Sequence, residues 1–250
     1  CYQAMFRNPL ADPFILGVSS GAALGAAVAI VYNQTAFISL FAFVGSIVTI
    51  FMVYFLGNNP VEGVNTNQLL LAGVAFGSML NALLSATMAL NTQQISTILF
   101  WLLGSLANPP ANLEAIALIV AFGLVLIMFY ARDLDIISVG DENAQYLGVD
   151  VTRVKIIILV GTTLITSAVV SVSGIIGFIG LIVPHLLRRL VGPQHSLLLP
   201  LCAIWGAVFL LIADGLTRIF VSLSQIPVGV ITALFGSPFF LYVLARSGRK

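Results

Sequence analysis

The chain has 250 residues, 60% of them hydrophobic and 8% charged, with a net charge of +1 and a mean hydropathy of +1.10. Soluble domains carry about a quarter charged residues, so a water-soluble globular domain is excluded, and the near-neutral balance speaks against a nucleic-acid partner. Cys1 and Cys202 are too few for a disulfide framework.

No Asp, Glu, Lys or Arg occurs from Pro13 to Val61 or from Gly63 to Leu113, runs of 49 and 51 residues. A helix needs about 20 apolar residues to cross the hydrocarbon core, so each run holds about two crossings. Lipid offers backbone polar groups no partner, so spans must be helices or a closed barrel. The period-two alternation of a barrel is absent. The sequence therefore predicts an all-α, polytopic transmembrane helical bundle. It starts at Cys with no basic segment before an apolar core, so no signal peptide is expected. A fragment without its natural N-terminus is the expectation for that start, ahead of a lipidated Cys1.

In chain order, residues 1–8 read as the tail of an earlier helix stopped at Asn8-Pro9. Spans follow near 14–31, 36–56, 67–90, 112–131, 154–173, 176–191, 197–217 and 228–246. Asn33-Gln34, Gly57-Asn58-Asn59-Pro60 and Asn108-Pro109-Pro110 mark connections. Residues 94–107 read as a short helix at the membrane interface, a depth that suits Trp101. Gly17, Gly21 and Gly25 recur every four residues, as do Gly73 and Gly77. Such stripes let helix backbones approach closely in lipid.

Strict alternation of spans puts Arg7, Arg132, Arg153, Lys155, Arg188, Arg189, Arg246, Arg249 and Lys250 on one side, and Arg218 alone on the other. The positive-inside rule makes the first side, and the C-terminus, cytoplasmic.

The segment 132–155, "RDLDIISVGDENAQYLGVDVTRVK", holds 8 of the 19 charged residues. Asp141 and Glu142 suit the first turn of a helix, and Gly148 suits the position after its last turn. Residues 141–147 thus read as a short helix, with Ala144 and Leu147 on one face. Asp150 caps the next turn. The expected product is a helix–Gly–helix elbow with both charge signs exposed. Topology alone needs neither its five acids nor an apolar stripe, so the elbow reads as a docking surface for a cytoplasmic partner.

Three stretches carry a resemblance: "NPLADPFILGVSSGAALG" (8–25), "GDENAQYLGVDV" (140–151) and "SGIIGFIGLIVPHLLRRLVGPQH" (173–195). "LIADGLTRIF" (211–220) and "IPVGVITALFGSPFFLYVLAR" (226–246) follow in order. Together they resemble the permease subunits of bacterial ABC importers for iron–siderophore complexes, haem and cobalamin. The resemblance covers essentially the whole chain. It implies the type II importer permease fold, with about eight of the family's ten spans present and the rest expected upstream of Cys1. It implies one permease domain over 1–250, with 132–155 as its cytoplasmic coupling loop.

By the same likeness, Asp141, Glu142, Gln145, Tyr146, Leu147 and Gly148 are the candidate ATPase contact. Thr66 and Asn67, in "NTNQLLLAG" (65–73), fall on the cytoplasmic gate; Asn67 departs from the family's small hydroxylic residues. Arg218 is the candidate contact for the binding protein, with pairing to Asp214 four residues away as the plain alternative. The implied assembly is a homodimer or paired permease in the cytoplasmic (inner) membrane. Two cytoplasmic ATPase subunits and a periplasmic or lipid-anchored substrate-binding protein complete it. The expected cargo is an iron–siderophore or related metal chelate, with haem, cobalamin or molybdate as alternatives.

The chain has no GxxxxGK[ST] loop, and its only lysines are Lys155 and Lys250, so ATP must be handled by another subunit. No cofactor, metal site or catalytic residue is expected. An intramembrane enzyme would have to use His185, yet no second His stands at ligand spacing and Ser171 and Ser173 lack a base. His185 instead is expected to hydrogen-bond inside the bundle beside the kink at Pro184. A channel would need a ring of like charges in the spans, and none is present.

Overall fold

The computed structural model describes residues 1–59, 63–64, 66–107, 113–220 and 226–247. Pro60, Asn65, Asn108, Pro109, Pro110, Arg249 and Lys250, used in the reading above, lie outside them. The short helix α1 (Tyr2–Met5) is followed by α2 (Val18–Val31), α3 (Ile38–Gly57) and α4 (Thr66–Leu90). Then come α5 (Ile95–Leu102), α6 (Leu113–Phe129), α7 (Ala131–Val139), α8 (Asp141–Tyr146) and α9 (Val151–Ser173). The chain closes with α10 (Ile179–Val191), α11 (His195–Phe220) and α12 (Val228–Ser247). The connection between α3 and α4 includes a minimal antiparallel pair, Asn58 opposite Val64 and Asn59 opposite Gly63.

A helix stands at each predicted span, but the spans are unequal. Thr35–Gly57, Thr66–Leu90, Val151–Ser173 and His195–Ile219 are long and apolar enough to cross a bilayer. The helices α6 and α7 form a pair bent by 56°, which makes a fifth crossing if taken together. The 14 residues of α2 and the 13 of α10 are shorter. At about 1.5 Å per residue neither reaches across a core of about 30 Å. Short and irregular backbone is tolerated at membrane depth only where protein surrounds it, and α2 meets that condition. Its Ala22, Ala26, Ala27 and Ala29 are fully buried.

Glycines set how closely α2 is held. A Cβ on Gly21 would collide with the Gly45 carbonyl of α3, and one on Gly45 would collide with the Gly21 carbonyl. Gly73 of α4 sits against the backbone of Ile15 and Leu16 in the same way. The predicted stripes are therefore packing surfaces, and Gly45 belongs to them although its own spacing gives no sign of it. Ser46 Oγ donates to the Val18 carbonyl at 3.1 Å and fixes the register of α3 on α2.

Trp101 is half-buried and packs against the two apolar clusters to which Ala22, Ala23, Ala26 and Ala27 of α2 belong. The end of α5 is tied to the break after α9, where Ser105 N donates to the Ser173 carbonyl at 2.8 Å. Gly229 N, at the start of α12, donates to the Leu103 carbonyl at 3.1 Å. The first bond satisfies the carbonyl at the last residue of α9, and the second satisfies the carbonyl just past the end of α5.

The outside of the bundle is oily. Phe51, Phe55, Phe122, Phe129, Leu211 and Phe235 are all more than half exposed. That pattern is wrong for water and right for lipid. The helix α4 is the exception among the long spans. Its mean hydropathy is 1.8 against 2.4 for α3 and α11, and Ser78, Asn81 and Ser85 lie on its exposed face.

Candidate functional site

The charged segment folds as α7, α8 and the start of α9. Leu134 and Ile137 bury the inner face of α7, and Ala144 buries that of α8. The helix α8 ends at Tyr146; Gly148, two residues on, has a φ of +84° that suits glycine, and a Cβ there would meet nothing within 4 Å. The Asp150 carboxylate caps α9 by accepting from Arg153 N at 3.0 Å. The elbow read from the sequence is present in these three features.

Its surface is divided more sharply than expected. Glu142, Gln145, Tyr146 and Leu147 point outward; Tyr146 is 89% exposed and Leu147 70%. Leu147 therefore does not share the buried face of Ala144, because the helix ends at Tyr146 and the last turn releases it. Asp141 turns inward. Its Oδ2 accepts from Lys155 Nζ at 2.5 Å, and the same ammonium donates to Thr66 Oγ1 at 3.2 Å. The Lys155 side chain is 2% exposed, so the sequence expectation of an exposed lysine is corrected. One buried cation thus joins Asp141 of α8 to Thr66, the first residue of α4.

The charged segment holds a second strut. Asp135 Oδ1 accepts from the backbone N of His195 at 2.9 Å and approaches its Nδ1 at 2.5 Å. It fastens α7 to the first residue of α11. Sequence reasoning missed this pair, which is 60 residues apart. It also missed Lys155, although a signal existed: Lys155 stands four residues after Val151 and four before Leu159, both buried.

The remaining candidates are Asn67, Arg218 and His185. Asn67 follows Thr66 on an exposed part of α4. Arg218 Nε donates to Asp214 Oδ2 at 2.7 Å within α11, and its side chain is 63% exposed. His185 does not make the expected hydrogen bond; its buried Nε2 has no partner among the described residues, and its ring meets Phe239 edge-on at 6.4 Å. Among the described residues no three His, Cys, Asp or Glu side chains converge as a metal site.

The sequence profile of the FecCD transport family matches residues 1–246. The chain belongs to the FecCD transport family. It is 42% identical over 249 residues to the cobalamin import system permease of Halobacterium salinarum, covering 97% of this chain and 66% of that one. To the hemin transport system permease of Yersinia pestis it is 39% identical, covering 98% of this chain and 75% of that one. To an Fe(3+)-citrate import system permease of Bacillus subtilis it is 35% identical, covering 99% and 74%. A solved structure described as a metal-chelate type ABC transporter in an inward-facing conformation superposes with a TM-score of 0.88 at 29% identity. That match covers 97% of this chain and 79% of the other. This FecCD-family chain is thus a multi-pass membrane protein with the fold of a transport permease.

Proposed function

We propose that this FecCD-family chain is the membrane-spanning permease subunit of an ATP-driven importer that carries a metal chelate across the cytoplasmic membrane. Residues 1–250 act as one permease domain, and 132–155 are its cytoplasmic coupling loop. Two such subunits, or one with a related permease, enclose the pathway; two ATPase subunits dock inside and a substrate-binding protein docks outside. One observation carries the reading: Tyr146 and Leu147 stand exposed at the tip of a six-residue helix in a polar elbow. Exposed aromatic and aliphatic side chains ringed by polar groups suit a protein partner.

The chain itself has no phosphate-binding loop, so the partner supplies the ATP chemistry. ATP-driven closure of the ATPase pair moves the two elbows as rigid bodies. That motion biases the bundle between outward- and inward-facing states. The exposed face of α4 that mixes Ser78, Asn81 and Ser85 with Leu71 and Val74 is the side turned to the pathway. Thr66 and Asn67 at the start of α4 then lie at its cytoplasmic gate, and Arg218 meets the binding protein at the other end. The named relatives carry cobalamin, hemin and ferric citrate, so the cargo class is a metal complex held in an organic frame.

The test is reconstitution. Proteoliposomes holding the permease, its ATPase and its binding protein are loaded with ATP, and uptake of cobalamin, haem or a ferric siderophore is measured. ATP-dependent uptake of one of these is expected. Uptake of none, together with failure of a cysteine placed at Glu142 to cross-link to the ATPase, would remove the assignment.

A further inference from the structure

Lys155 is the one lysine or arginine buried among the described residues. It stands in the first turns of α9, yet its ammonium bonds to α8 through Asp141 and to α4 through Thr66. Arg132 and Arg153, its neighbours in the charged segment, are exposed. Stability alone does not call for this arrangement, because well-packed apolar groups stabilise an interior as well as a buried ion pair does. The second carboxylate oxygen of Asp141 is buried and has no partner among the described residues. Such a group calls for an explanation, since buried polar atoms are normally bonded. A network with an open acceptor has room for a second bonding arrangement.

We infer that Lys155 is a latch that transmits movement of the 141–148 elbow to the start of α4, so that displacement of Asp141 repositions Thr66. The inference rests on the reading of the elbow as the ATPase contact, and adds the path by which that contact reaches the gate. The path is short and physical: one carboxylate, one ammonium and one hydroxyl on three elements. When the elbow moves, Asp141 carries the Lys155 head with it. The ammonium then leaves or follows Thr66, and the N-terminus of α4 loses or keeps its tether. Lys155 is a positioning residue; it touches neither cargo nor ATP.

The test uses the assembled importer in proteoliposomes, with Cys1 and Cys202 replaced by serine. Asn67→Cys is labelled with a thiol reagent under ATP and under ADP, and Glu142→Cys is cross-linked to the ATPase. In the otherwise unchanged complex the label is expected to follow the nucleotide. In Lys155→Met the cross-link is expected to persist, the label to stop following the nucleotide, and uptake per ATP to fall about tenfold, within the usual range of couplings between sites. Lys155→Arg, which keeps the charge, is expected to restore part of the response. Thr66→Val leaves no charge unpaired and serves if Lys155→Met fails to accumulate; its labelling response is expected to be weakened. A label that still follows the nucleotide in Lys155→Met or in Thr66→Val, with uptake per ATP close to the unmodified complex, overturns the latch and leaves the elbow reading standing. Absence of the Glu142 cross-link in the unmodified complex overturns the elbow reading, and the latch with it.

Discussion

Tyr146 and Asp141 are five residues apart on one short helix and do opposite things. Tyr146 is almost wholly exposed, whereas Asp141 is one-third exposed and bonds to the buried Lys155. Substitutions at the two positions should therefore fail in different ways. Tyr146→Ala with Leu147→Ala removes exposed apolar surface only, and surface changes of that kind shift stability by about 0.5 kcal/mol or less. The protein is expected to accumulate normally in the membrane and to lose co-purification with its ATPase; retention of the ATPase at the unmodified level would show that these side chains are not the contact. Asp141→Leu leaves the Lys155 ammonium buried and unpaired, which costs about 3–5 kcal/mol. Lower yield and a lower melting temperature in detergent are expected for it, and unchanged values of both would show that the ion pair is not buried in the assembled protein. Sequence alone could not separate the two. Spacing marks Asp141 as an acid in a first turn, but which way it faces depends on Lys155 and Thr66, fourteen and seventy-five residues away.

At the scale of elements, the glycines divide into two kinds, and the distinction is testable. Gly148 is needed for its backbone angle, with open space around it. Gly148→Ala should cost about 1–2 kcal/mol of strain, the usual penalty for a left-handed residue, and leave the helices in place. Gly21 has no unusual angle but lies against the Gly45 carbonyl, so Gly21→Leu must push α2 off α3. Overpacking of this kind costs about 1–3 kcal/mol or more. Thermal unfolding of the two purified variants is the check: the larger loss is expected at Gly21, and the reverse order would place the tight crossing elsewhere. The four-residue stripe was legible in the sequence because lipid-embedded helices reward it. The shortness of α2 was not, because hydropathy reports how apolar a segment is and not whether protein or lipid surrounds it.

Across the whole molecule, the charge distribution is the ground for the proposed orientation. Cytoplasmic loops of membrane proteins carry an excess of Lys and Arg, and that bias sets the orientation of the bundle. Arg132 and Arg153 frame the elbow, while Arg218 pairs with Asp214 on α11 and lies next to a connection in the other half of the chain. In the proposed topology, alternation of the spans sends those two regions to opposite faces. That reading depends on every shorter helix still carrying the chain from one side to the other. The helices α2 and α10 are each too short to do so alone, so they need the turns and breaks beside them to complete the passage. Cysteines placed singly at Glu142 and at Arg218 test this directly in cells or right-side-out vesicles. A membrane-impermeant thiol reagent added outside is expected to modify the cysteine at 218 and to reach the one at 142 only after the membrane is opened. Labelling of both from one side would mean that one of the short helices turns back within the membrane, and the elbow would then face away from any ATP-hydrolysing partner.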